Sequence, residues 1–149
     1  MKTLIIYDDL APAVQAKESV ERAAQLAGET TRKKVELCRV DLLGEPAIAS
    51  EVSRNSADSH LIVLSLRQTD SLPDEFMSWL ENWAARRQVN EVALAVFKGA
   101  DREAPSATAI HELSEFAEHH GLSFIFDEFG WHRRELVSSR GNYASVRQT

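Results

Sequence analysis

Five short apolar runs, separated by segments whose apolar residues recur every three or four positions, limit what this chain can fold into more than any other feature. The runs are Thr3–Tyr7 (TLIIY), Val35–Val40 (VELCRV), His60–Leu66 (HLIVLSL), Glu91–Phe97 (EVALAVF) and Leu122–Phe126 (LSFIF). Each is the length of a strand, not of a helix. His60–Leu66 is apolar almost throughout, which suits a strand covered on both faces, whereas Val35–Val40 alternates in polarity and suits a sheet edge.

The intervening segments carry the helical period. Ala13, Ala16, Val20, Ala23, Ala24 and Ala27 form a narrow small-residue stripe, and Gly28 supplies a left-handed stop. A turn over 41–46 leads to a short helix at Pro46–Ser53. Ser71 as cap, Pro73 in the first turn and Asp74 near the positive end predict a helix running to Gln88, with Leu72, Phe76, Leu80, Trp83 and Ala84 on one stripe. Ile110, Leu113, Phe116 and Ala117 predict another over Ser106–His120, closed by Gly121. Strict alternation of strand and helix implies parallel strands joined by right-handed crossovers. The expected fold is α/β: a three-layer, doubly wound five-stranded parallel sheet in the flavodoxin-like order 2-1-3-4-5.

The chain has 149 residues, about one domain, and its 44% apolar and 27% charged residues fit a globular protein. No apolar run reaches the roughly 20 residues a membrane helix needs. An acidic pair directly follows the first run where a leader would continue, so a cytoplasmic protein without a membrane partner is expected. Cys38 is the single cysteine, which excludes an internal disulfide and a multi-cysteine metal site. The formal charge of −6 argues against a general nucleic-acid partner. That charge is uneven: His132–Thr149 carries +3, leaving −9 on the residues before it. The organisation read from this is a domain over 1–128 and a basic C-terminal tail over 129–149.

Ligands of open parallel sheets bind beyond the carboxyl ends of the strands, where the order reverses. The first strand delivers Asp8 and Asp9 there, and the third delivers Arg67, Gln68, Thr69 and Asp70. Lys98 and Gly99 follow the fourth strand, Asp127 and Glu128 the fifth. Asp8 and Asp9, with Asp127 and Glu128, are also the candidate ligands of a magnesium ion, since carboxylate oxygens suit hard cations. The plainer reading makes them strand-end acids neutralised by Arg67 and Lys98. Ser65 lacks a nucleophile elbow and Cys38 lacks a partner, so both are expected to be core residues. His111, His119 and His120 suit a helix surface and its C-terminus.

Lys2–Tyr7, Val40-Asp41-Leu42, and the spacing of Ser71, Leu72, Pro73, Trp79 and Glu81 resemble NADPH-dependent flavin and quinone reductases. This resemblance covers 1–83 and implies the same sheet, a bound FMN or FAD, and a dimer. Those enzymes hold the flavin phosphate with hydroxyls and amides after the first strand, at a helix N-terminus. Here that loop is Asp8-Asp9-Leu10-Ala11-Pro12-Ala13, without a hydroxyl, and Pro12 lacks an N–H. Met77 stands where a lysine is frequent, and Arg67, Gln68 and Thr69 replace flanking aromatics. The expectation is therefore a non-catalytic binding or interaction module with no bound flavin. A flavin-dependent reductase is the enzymatic alternative.

The acidic pair also resembles response-regulator receiver domains, with Ser65 in the place of the phosphoacceptor. A pseudo-receiver is thus a further alternative. A homodimer is expected as partner, with Trp79, lying off the core stripe, and Trp131 as interface candidates. A small-molecule ligand is expected only at the crevice.

Overall fold

Parallel pairing runs unbroken across the sheet in the order β2-β1-β3-β4-β5, in a computed structural model that describes residues 2–26, 28, 34–66, 72–97 and 107–126. The elements are β1 (Lys2–Tyr7), α1 (Leu10–Leu26), β2 (Lys34–Arg39), a 3-10 turn (Val40–Gly44), α2 (Pro46–Asn55) and β3 (Leu61–Ser65). They continue with α3 (Asp74–Arg86), β4 (Ala93–Val96), α4 (Ala107–His120) and β5 (Ser123–Phe126). This is the expected α/β architecture. β2, the run of mixed polarity, is an edge strand, and the apolar β3 is central.

Strand parity sorts the core into two layers. Cys38, Ile6, Leu64, Val96 and Phe126 stand in one register row. With Leu4, Ile62 and Leu94, they meet Phe76, Trp79, Leu80 and Trp83 of α3, Leu113, Phe116 and Ala117 of α4, and Ala49 and Val52 of α2. The alternate row, Leu37, Ile5, Val63, Ala95 and Ile125, meets Ala13, Ala16 and Val20 of α1. Ala13 and Ala16 are fully buried; their small side chains let α1 lie close to the pleat.

Boundaries differ from the sequence reading in instructive ways. α1 starts at Leu10, so Pro12 falls in its first turn, where a missing N–H costs little. α3 starts at Asp74, after an extended Pro73 whose carbonyl accepts the Met77 N–H at 3.1 Å. The expected Ser71 cap lies outside the described residues. Gly28 and Gly121 adopt φ +76° and +74°, the left-handed stops read for α1 and α4.

Trp79, off the stripe of Phe76, Leu80 and Trp83 on the flank of α3, is buried, with only 4% of it accessible. α2 covers that flank, and the Trp79 indole donates to the Ala49 carbonyl at 3.2 Å. Its ring stacks on Trp83, with centroids 6.4 Å apart. Lys2 fastens the other end of α2, donating to the Asn55 carbonyl and pairing with Asp58 at 2.8 Å. The hydrogen bond from Lys2 holds the Asp58 carboxyl below its ordinary range.

Candidate functional site

The loop after β1 stands at the switch point, because β1 is flanked by β2 on one side and β3 on the other. Its position is fixed by the Asp8 N–H, which donates to the Ser65 carbonyl at the end of β3 at 3.4 Å. Asp8 is exposed and Asp9 half-buried. Asp9 directly precedes the first residue of α1 and works as its cap. Its Oδ1 accepts the Ala11 N–H and its carbonyl accepts the Ala13 N–H, both long contacts at 3.4 Å. Pro12 between them has no N–H to offer.

A helix N-terminus is ordinarily a ready anion site, since its first amides lack intrahelical partners. At α1 a carboxylate of the chain already occupies that role. Two carboxylates in this loop repel a phosphate, and Asp9 also engages a donor the phosphate would need.

The Asp8 backbone meets that of Ser65 at the end of β3, and Ser65 is buried at 3% accessibility. Arg67, Gln68, Thr69, Asp70, Lys98, Gly99, Asp127, Glu128 and Trp131 lie outside the described residues, as does the rest of the tail. Among the described residues no three histidine, cysteine or acidic side chains gather where one metal ion could be held. Cys38 is buried in the core, and that burial, reinforced by nearby Asp41, pushes its thiol pKa up, the opposite of an activated nucleophile. His111 pairs with Glu115 at 3.2 Å on the exposed face of α4.

Sequence reasoning missed a second concave feature. A groove of about 780 Å³ runs between α2 and α3, floored by Ala49, Ser53 and Trp79. Trp79 forms part of its lining and reaches across to α2 through its hydrogen bond to the Ala49 carbonyl. The groove is separate from the switch-point loop and shares no residue with it.

No helix among the described residues is long and apolar enough to cross a membrane. Comparison of the chain with models of known families, with curated proteins and with solved structures finds no match. What the structure shows is the architecture, a flavodoxin-like α/β arrangement of five parallel strands.

Proposed function

We propose that this chain is a non-catalytic binding or interaction module on a flavodoxin-like fold, working without FMN or FAD and associating with itself. The observation that supports this reading is the capping of α1 by Asp9, with Asp8 beside it, at the place where a flavin phosphate would need free amides. Two carboxylates near a dianionic phosphate oppose it by on the order of several kcal/mol in a poorly solvated crevice. A small ligand would enter between Asp8, Asp9, Arg67, Thr69 and Lys98, a set that carries both acidic and cationic groups.

The test is a titration of FMN and FAD into the purified chain, followed by flavin fluorescence, with NADPH oxidation assayed alongside. No quenching and no oxidation are expected. Stoichiometric flavin, or NADPH turnover dependent on it, overturns the reading in favour of the reductase.

A second reading, a pseudo-receiver, is supported by the acidic pair after β1, whose Asp8 N–H donates to the carbonyl of the buried Ser65 at the end of β3. Its mark is magnesium affinity that disappears in Asp8→Asn or Asp9→Asn.

A further inference from the structure

We propose that the α2–α3 groove is a self-association face, in which α3 of one copy lies antiparallel in the groove of a second. The inference rests on the self-association in the reading above and assigns its surface. Asp74, Ser78, Asn82 and Arg86 stand four residues apart, form one continuous ridge of α3, and all line the groove. All four are exposed. The opposite wall is a matching ridge of α2, Pro46, Ser50 and Arg54, also exposed.

The charge order along this groove is polar. Asp74 and Glu75 mark the end where α3 begins; Arg54 and Arg86 mark the end where both helices finish. Among the described residues none of these four forms an ion pair or hydrogen bond through its side chain. Reversing the ridge and laying it on itself sets Asp74 against the partner's Arg86 and Ser78 against the partner's Asn82. The pattern is therefore its own complement under a two-fold axis, which is the requirement of an isologous interface. An unrelated partner would need no such symmetry.

Shape agrees with charge. The middle of the ridge holds only Ser78 and Asn82, and the α2 wall holds Ser50, so a helix can approach closely without a bulky side chain in the way. α3, 13 residues long, spans about 20 Å. A face of two such helices lies at the low end of specific interface sizes, so the dimer is weak and concentration-dependent. Its polar rim makes it sensitive to salt.

The experiment is sedimentation equilibrium on the full chain from about 1 µM to about 1 mM, the affinity range of small interfaces. Asp74→Lys and Arg86→Glu are measured separately and as an equimolar mixture, with Glu112→Lys on exposed α4 as control. Each reversal alone opposes like charges twice per dimer and is expected to weaken association about tenfold or more. In the mixture the introduced lysine meets the introduced glutamate while Arg86 meets Asp74, so heterodimers are expected to regain wild-type affinity. That recovery also shows that both variants fold. A wild-type dimer indifferent to both reversals, or a mixture that stays dissociated, overturns the face and leaves the functional reading standing. A wild-type chain that stays monomeric over the whole range overturns self-association as well.

Discussion

The indole nitrogen of Trp83 donates to the carbonyl oxygen of Ser56 at 2.8 Å, joining the heart of α3 to the turn that ends α2. α2 itself contributes one buried side chain, Ser53, to the interior. Its attachment therefore depends on tethers: Trp83 to Ser56, Trp79 to Ala49, and Lys2 to Asn55 and Asp58. A helix held this way is expected to open before the sheet does.

Replacing Trp83 by phenylalanine keeps a ring in a fully buried site and removes the donor. The Ser56 carbonyl also accepts the Ser59 N–H at 3.0 Å, so it is not orphaned. The expected cost is about 1 kcal/mol, not the larger penalty of an unsatisfied buried group. Trp83→Ala, which also opens a cavity, is expected to cost about 3–5 kcal/mol. Urea unfolding of both variants measures the difference. Equal losses would show that the hydrogen bond, not packing, dominates.

Arg87 closes two helices at once. Its guanidinium donates to the Ala84 carbonyl of α3 at 2.9 Å and to the His120 carbonyl of α4 at 2.8 Å. A lysine ammonium has no planar fork with which to reach both. Arg87→Lys is expected to lose about 1.5–3 kcal/mol, the range for hydrogen bonds that involve a charged group, with faster amide exchange at the ends of α3 and α4. Protection unchanged at both ends would refute this role.

Gly121 stands beside that guanidinium at φ +74°, and an added Cβ would meet Arg87 Nη2 at an unstrained 3.9 Å. The cost of Gly121→Ala is therefore conformational, about 1–2 kcal/mol for a left-handed alanine. Gly44 offers the contrast: its φ is not positive, and its Cβ would touch only Glu75 Cγ at 3.7 Å. Gly44→Ala is expected to leave stability nearly unchanged in thermal unfolding.

Much of this architecture was legible because strand parity is a local property. The rows through Ile6, Leu64 and Val96, and through Ile5, Val63 and Ala95, follow from alternation within each run. Alternation of strand and helix then implies parallel pairing, and 2-1-3-4-5 is a common order for five such strands. Trp79 was not legible in the same way. It lies off the stripe of Phe76, Leu80 and Trp83, and only the non-local placement of α2 buries it. The groove beside it is likewise a relation between two helices. At the switch point, the acids were legible as charges, but the cap was not. The small-residue stripe first becomes regular at Ala13, whereas α1 begins at Leu10.

His120 packs its ring against Phe116 at 4.4 Å, with His119 and Arg87 nearby. Burial first, then the positive charges of His119 and Arg87, lower its pKa from the ordinary 6.5. The unfolded chain thus binds this proton more readily than the folded one. Stability from His120 is fully present above the unfolded pKa and is lost as pH falls through it. Denaturant unfolding at several pH values should show stability decreasing on acidification below about 6.5, and His120→Gln should remove that part of the slope. An imidazole titrating above its ordinary value by NMR would reverse the sign and defeat the argument.

Asp9 carries both the stability of α1 and the functional reading, and the two separate by substitution. Asp9→Asn keeps an acceptor for the Ala11 N–H and removes the charge; Asp9→Ala removes both. Loss of a cap costs about 0.5–2 kcal/mol, whereas loss of a charge at the positive end of a helix costs about 0.3–1 kcal/mol. Unfolding by urea is therefore expected to rank wild type above Asp9→Asn and Asp9→Ala last. Flavin should remain unbound by both variants, because Asp8 stays in place and Pro12 still offers no amide. FMN uptake by Asp9→Ala would mean that the cap alone closes the site. The fold would then be a reductase scaffold one residue away from its cofactor, not a domain organised for another purpose.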